Sequence, residues 1–377
     1  MNADGNGGAP HGHKTRTLAF DNQGRLYVSI GSAGNVDTNS YRSRIRRFDL
    51  TSSSFPLDFA TGEIYADGLR NEVGLAFDRF NVLWGVENGA DKLIRNDLGG
   101  DIHNNNPGEE LNRFPEEDIG KHWGYPYCWS EYHLDADDGG LGKGTRWAWP
   151  SFMPPASDKD DAWCRANTLP SKLSMQAHSA PLGLTFYQWK ENVDSECIGT
   201  FPKSMDGHLF VAFHGSWNRS PSTGYKVVTV PFDAEGKVSG DPIDFLVHEG
   251  SAPEWSDGMR PVDVDFDSCG RLLMSSDGSR GDGYKGSKIV RMSYEEVSGG
   301  GSGSVPSSSG NSGDSGGESG GGSGGGSGGV PSSSGGCCGT PSSGHAKSAG
   351  LRSGGEELID GGWLVMVVVL CMLMMMR

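Results

Sequence analysis

Three stretches of the chain share one pattern, and no other feature restricts the fold as much. They are Thr17-Leu-Ala-Phe-Asp-Asn-Gln-Gly-Arg-Leu-Tyr-Val-Ser29, Gly74-Leu-Ala-Phe-Asp-Arg-Phe-Asn-Val-Leu-Trp-Gly-Val86 and Val262-Asp-Val-Asp-Phe-Asp-Ser-Cys-Gly-Arg-Leu-Leu-Met-Ser275. Each runs from a short apolar segment, through a turn with Asp and usually Gly, into a second apolar segment. That is a β-hairpin whose turn residues supply the backbone conformations a reversal needs. A fourth copy, Asp206-Gly-His-Leu-Phe-Val-Ala-Phe213, lacks the preceding strand signature, and outer strands are expected at Ser43–Leu50, Tyr225–Phe232 and Lys288–Tyr294. Units of about 50 residues with four short strands are propeller blades. The alternative is a β-sandwich with coincidental hairpins. No amphipathic helix of ten or more residues is legible, which argues against an α/β fold.

Glycine divides the chain. Of 60 Gly in 377 residues, 21 fall between Ser298 and Gly350 beside 17 Ser, a composition that cannot bury a core and reads as a flexible stalk. The expected organisation is a disordered start at 1–12, a propeller over 13–297, a disordered Gly/Ser-rich linker over 298–362 and a hydrophobic tail over 363–377. Trp363 to Met376 is apolar throughout but short for a bilayer span, and small residues with a polar spacer precede it. That arrangement fits a GPI lipid-anchor signal, and so membrane attachment at the cell surface; a short tail anchor and a gene-model artefact are the alternatives. Such an anchor requires secretion, yet Met1 to His13 carries no leader pattern, so a truncated start is expected. The net charge of −16 is the wrong sign for tracking phosphates and excludes nucleic acid as the expected partner. Four body cysteines (Cys128, Cys164, Cys197, Cys269) contain no C-x-x-C pair; they suit either two disulfides of unreadable pairing or free buried thiols.

Residues with chemistry concentrate next to the hairpins. His13 stands just before the first one, where an imidazole suits a general base or is a tail histidine. Leu69-Arg70-Asn71-Glu72-Val73-Gly74 precedes the second, and a fixed guanidinium beside an amide suits an anionic ligand, unless Arg70 is a surface residue. Glu87-Asn88-Gly89-Ala90-Asp91 follows it, with a glycine able to turn carbonyls toward a hard cation such as Ca²⁺. Asp101 to Asn112 reads as a long solvated loop. The acidic run at Asp135, Asp137 and Asp138 fails as an EF-hand because its twelfth position is Arg146. Asn218-Arg219-Ser220 is a glycosylation sequon, and Trp123 to Trp129 is loop core rather than a sugar-stacking surface.

Taken in order, these segments resemble the soluble glucose/sorbosone dehydrogenase family. The stretches that carry the resemblance are His13-Lys-Thr-Arg-Thr-Leu-Ala-Phe20, Gly68-Leu-Arg-Asn-Glu-Val-Gly-Leu-Ala-Phe77, Glu109-Glu-Leu-Asn112 and Gly124-Tyr-Pro-Tyr-Cys128. They continue through His178-Ser-Ala-Pro181, Phe210-Val-Ala-Phe-His-Gly-Ser-Trp-Asn-Arg219, Thr223-Gly-Tyr-Lys-Val-Val228 and Gly258-Met-Arg-Pro-Val262. The His-Gly-Ser-Trp-Asn-Arg and His-Ser-Ala-Pro segments are most similar to the sorbosone and fungal pyranose dehydrogenase branch.

The resemblance implies an all-β, six-bladed β-propeller that binds pyrroloquinoline quinone (PQQ) and Ca²⁺, oxidises a sugar and passes electrons to an external acceptor. By position, His13 is the implied base. Arg70 and Asn71 are the pair at the quinone's reactive carbonyls, and Gly89 and Ala90 supply carbonyls to Ca²⁺. His178, Arg219 and Arg260 fall around the tricarboxylate. Two positions depart from the pattern: Val73 stands where glucose-oxidising relatives carry an amide, and Ala90 replaces a proline. The family places roughly two blades ahead of its base, whereas twelve residues precede His13, so an incomplete propeller of about four to five blades is expected. A non-catalytic cell-surface propeller is the alternative function. A Ca²⁺-dependent lactonase lacks an obvious set of metal carboxylates.

Overall fold

A computed structural model describes residues 12–295 except 40, 54, 192–194, 250, 251, 280 and 282. The expected disordered start, stalk and hydrophobic tail lie outside the described residues. Residues through Tyr294 cluster as one unit; the second unit, 295–354, is described only at Glu295.

The hairpin pattern builds what it implies. Strands β1 (Leu18–Phe20), β2 (Leu26–Ile30), β3 (Arg44–Phe48) and β4 (Glu63–Asp67) form a four-stranded sheet in simple sequential order, sheet I. Sheet II takes β5 (Glu72–Phe77) and β6 (Leu83–Glu87), continues through β9 (Glu109–Phe114) and ends on β12 (Leu173–Met175). Its long connections hold two small ribbons, β7 (Ile94–Arg95) with β8 (Gly100–Asp101) and β10 (Cys128–Ser130) with β11 (Arg146–Ala148). They also hold the one α-helix of the described residues, α1 (Asp161–Asn167). Sheet III is β13 (Pro181–Phe186), β14 (Leu209–Phe213), β15 (Lys226–Val230) and β16 (Ile243–Leu246). Sheet IV has three strands, β17 (Pro261–Phe266), β18 (Leu272–Ser276) and β19 (Lys288–Met292). All pairings within the sheets are antiparallel.

One turn recurs. Asp21, Asp78 and Asp267 each accept, through Oδ1, the backbone N–H groups two and four residues ahead, closing the hairpins of sheets I, II and IV. Asp233 does the same after β15. The residue three after each Asp is Gly24, Asn81, Gly270 or Gly236, all at positive φ, where glycine and asparagine carry the smallest steric cost. The second oxygen of Asp78 accepts from the buried Trp84 indole at 2.9 Å, so the turn is also fastened to the core.

The sheets pack face to face in chain order. Tyr27, Ile45 and Tyr65 meet Leu83, Phe114 and Trp123 between sheets I and II. Trp84, Val86 and Leu111 meet Phe186, Val211 and Val228 between II and III, and Phe210, Ala212 and Val227 meet Val264, Leu272 and Met274 between III and IV. The leading strands also touch, β13 against both β5 and β17, and β1 against β5, which brings the loops at their ends together.

Four readings are corrected or settled here. The fourth hairpin does have its first strand: Pro181-Leu-Gly-Leu-Thr-Phe186 forms β13, with a register irregularity between Pro181 and Leu184. The second half of the stretch read as a solvated loop is β9, with Glu109, Glu110 and Asn112 buried. Trp123, Tyr125 and Trp129 are buried core, as expected. The body cysteines pair Cys128–Cys164 and Cys197–Cys269.

Candidate active site

Three chain segments meet where β2 ends. The His13 N–H donates to the Ser32 carbonyl at 3.1 Å, and the Ser32 N–H donates to the Arg70 carbonyl at 2.7 Å. Between them lies Gly31, where a Cβ would stand 2.8 Å from both the His13 Cβ and Asn71 Oδ1. The missing side chain is therefore what lets the expected base approach the expected Arg70–Asn71 pair. Ser32 Oγ donates to the Gly34 carbonyl at 2.6 Å, so toward His13 Nδ1, 2.9 Å away, it can only accept. That fixes the neutral imidazole with its proton on Nδ1 and a lone pair on Nε2. Burial, with the Arg70 charge second, holds the His13 pKa down at about 3. The ring is unprotonated at any physiological pH.

Arg70 is buried and its guanidinium is held on several sides. Nη2 donates to Asp91 Oδ2 at 2.8 Å and to Asn35 Oδ1 at 3.1 Å, while Nη1 donates to the Asn88 carbonyl at 3.1 Å. Asn35 Oδ1 also accepts the Asp91 N–H at 2.7 Å, so one amide fixes both partners of the ion pair. The neighbouring Asn71 side chain makes no hydrogen bond among the described residues and is free to donate; its carbonyl accepts the Asn88 N–H at 3.1 Å. Asn35 and Asp91 escaped sequence reasoning. In the motif Glu87-Asn88-Gly89-Ala90-Asp91 the glycine is the conspicuous feature, and nothing local marks Asn35.

Gly89 and Ala90 follow directly. The Gly89 N–H donates to Glu109 Oε2 at 2.7 Å, and the Ala180 N–H donates to Oε1 of the same carboxyl at 3.1 Å. Burial pushes the Glu109 pKa up to about 7 despite those two donors. The Gly89 and Ala90 carbonyls receive no hydrogen bond among the described residues, and both residues line a small cavity of about 20 Å³, room for roughly one water. Arg70, Glu87, Glu110 and Arg146 complete its polar wall. No cluster of three metal-ligating side chains exists among the described residues, so a cation here would rely on carbonyl oxygens, which suit Ca²⁺.

The remaining candidates join this network unequally. His178 is buried, with Nε2 2.5 Å from the His103 carbonyl and Nδ1 3.3 Å from Asn218 Nδ2. Asn218 Nδ2 also donates to Asp91 Oδ1, which links His178 to the Arg70 ion pair. The nitrogen that would carry a glycan is thus a structural donor, and the sequon is not an open acceptor in the folded chain. Arg219 donates to the Asn104 carbonyl at 2.7 Å and Asn105 Oδ1 at 3.1 Å, on the loop that also carries His103. Arg260 donates to the His214 and Gly215 carbonyls at 3.1 and 2.9 Å and lies over the Tyr225 ring. The structure therefore unites His13, Arg70, Asn71, Gly89, Ala90 and His178, sets Arg219 beside them, and gives Arg260 a hold on the turn that leads to Asn218.

A family model described as TrAA12-like matches residues 6–284. A pyrroloquinoline quinone-dependent pyranose dehydrogenase of Coprinopsis cinerea is 32% identical over 260 residues, 65% of this chain and 33% of that protein. A pyrroloquinoline quinone-dependent sugar dehydrogenase of Hypocrea jecorina is 31% identical over 313 residues, 77% of this chain and 65% of that protein. The chain thus spans a third and about two thirds of those relatives. Among solved structures, a calcium structure of a Trichoderma reesei family AA12 enzyme superposes with a TM-score of 0.61 at 30% identity, covering 71% of this chain and 66% of that one. The holo pyranose dehydrogenase PQQ domain from Coprinopsis cinerea gives 0.57 at 29% identity, covering 70% and 68%. The chain belongs to the TrAA12-like family of PQQ-dependent pyranose and sugar dehydrogenases.

Proposed function

We propose that this chain is the catalytic part of a quinoprotein that oxidises an aldose or related pyranose and passes the electrons to an external acceptor. Its four sheets are read as consecutive blades of a β-propeller belonging to the six-bladed class. One observation carries the reading: an imidazole with a fixed Nε2 lone pair stands across Gly31 from an unpaired amide and a buried guanidinium. The relatives named as PQQ-dependent sugar dehydrogenases supply the chemical class.

The residues present fit both groups. Two adjacent carbonyls without donors, at Gly89 and Ala90, suit Ca²⁺, and a polyanionic quinone matches Arg70, Arg219 and Arg260, with His178 beside Arg219. Bound PQQ supplies the two-electron acceptor to which the sugar's hydride passes. His13 Nε2 takes the proton of the sugar hydroxyl on the carbon that loses hydride. Arg70 and Asn71 place donors where negative charge gathers on a carbonyl oxygen. An anion at Arg70 also offsets the guanidinium field that depresses His13, so ligand binding raises the strength of the base. Asp91 and Asn35 keep the guanidinium in place through the cycle.

Titration of the protein with PQQ and Ca²⁺, followed by dye reduction with a panel of aldoses, tests the proposal. Saturable quinone binding and turnover that falls about 10²–10⁴-fold in His13→Ala are expected. Binding without turnover would favour a non-catalytic module, and turnover unaffected by His13→Ala would remove the base from the scheme. An extracellular, cell-surface location is part of the same proposal: two disulfides suit an oxidising compartment. The lipid anchor proposed for 363–377 is checked by lipase release of the cell-bound protein.

A further inference from the structure

Behind the Arg70–Asn71 turn, sheet II buries a row of acids. Glu72 on β5 pairs with Glu87 on β6, and Glu87 pairs with Glu110 on β9, so three carboxyl side chains stand side by side on one face across three strands. All three are buried. The charged and polar groups facing them are few. Arg146 of β11 donates to Glu110 Oε1 at 3.2 Å, and the Arg70 N–H donates to Glu87 Oε1 at 2.5 Å. Asn112, two residues beyond Glu110, offers its Nδ2 to Glu72 Oε2 and Glu87 Oε2, each at 3.2 Å, and Ser174 of β12 closes the row opposite Glu110.

Three carboxylates with one guanidinium in contact and a second farther off cannot all stay ionised in a dry interior. Two buried atoms show where the proton goes. Glu72 Oε1 and Asn112 Oδ1 are both without any hydrogen-bond partner, although the Asn112 amide already donates to the other oxygen of Glu72. A proton on Glu72 Oε1 would turn that orphan acceptor into a donor, and a bond from it to the orphan amide oxygen would close a two-bond acid–amide pair that satisfies both atoms at once. Burial and then the Glu110 charge push the Glu87 pKa up to about 8 as well, but Glu87 has the Arg70 N–H and the field of both guanidiniums, and Glu110 has Arg146, so Glu72 is the member with least to hold a negative charge. Burial first, then the Glu87 charge, raises its pKa well above the ordinary value. Gly85 makes the room: a Cβ there would lie 2.2 Å from Glu72 Oε1.

We propose that Glu72 is the protonated member of this row, and that the hydrogen bond it donates to Asn112 is the clamp that fixes the Arg70–Asn71 turn at the head of β5. Glu72 is then a positioning residue, acting through the turn it precedes. The idea stands independently of the quinone reading. A raised native pKa means that the folded state holds a proton the unfolded chain has lost, so stability falls as pH rises above about 4.5.

The test compares Glu72→Gln with Glu72→Ala in the full chain, by thermal melting from pH 5 to 9 and by infrared detection of buried acid C=O groups. Glutamine keeps a donor for Asn112 and cannot ionise. We expect E72Q to fold, to melt about 2–4 °C above the parent at pH 8, to lose stability less steeply as pH rises, and to lack one acid C=O band. E72A should melt below the parent throughout. An E72Q chain that fails to fold, that melts as low as E72A, or that retains every acid band of the parent overturns the proposal.

Discussion

Strands β9 and β14 are both interior strands, of sheets II and III, each between two neighbours, yet they are built from opposite materials. β14 is Leu209-Phe-Val-Ala-Phe213, apolar throughout and buried throughout. β9 is Glu109-Glu-Leu-Asn-Arg-Phe114, and three of its polar side chains, Glu109, Glu110 and Asn112, are buried too. An apolar strand gains stability from every residue it hides. A polar one must find partners for each group: Glu109 takes the Gly89 and Ala180 N–H groups, Glu110 takes Arg146, and Asn112 donates to Glu72 and to Glu87, which in turn holds the Arg70 N–H. Sheet III supports; sheet II positions.

The sharpest way to strain that contrast is Phe210→Ala. The ring is fully buried against Phe201, Phe245 and Phe266, so about 3–5 kcal/mol of stability should be lost in denaturant unfolding, with quinone affinity of the folded fraction unchanged. A collapse of affinity at full folding would show that sheet III also positions. Arg70→Lys should do the reverse. A point charge cannot reproduce the fork to Asp91 and Asn35, and dye reduction should fall about 10²–10³-fold, or roughly 2.7–4 kcal/mol. Asp91→Asn keeps the shape but removes the charge opposite Arg70; a loss of about 1–3 kcal/mol, read in turnover more than in melting temperature, is expected. The smallest effect at neutral pH belongs to His13→Gln on stability. The native imidazole titrates near 3 and the unfolded one near 6.5, so the parent should lose more stability than the variant as pH falls between those values. Equal acid profiles would mean that the ring is free in solvent.

What could be read from the sequence follows from how local its causes are. The Asp turns were legible because two amides and one residue at positive φ, all within five positions, determine them. β13 was not: Pro181 and Gly183 argue against a strand, and only contacts with β5, β14 and β17 outweigh them. β9 looked solvated because its acids meet their partners from Gly89, Arg146 and Ala180, which are remote in the chain. His13, Arg70, Asn71 and Gly89 stand out by residue type beside the hairpins, Ala90 and His178 by the resemblance, and the structure gathers all six. Asp91, Asn35 and Asn218 were not named in these roles, since a hydrogen bond between positions 91 and 218 leaves no pattern in either segment. The cysteine pairing was equally silent.

Gly31 has a consequence for inheritance. A Cβ at this position would crowd both His13 and Asn71, two groups from segments nearly sixty residues distant, and one of them would have to shift, without touching the buried faces that hold the four sheets together. On the function proposed above, a change at this one codon would strike the chemistry and leave the scaffold in place. Sister genes that retain every Asp turn but have lost this glycine should be sought among binding proteins rather than among enzymes.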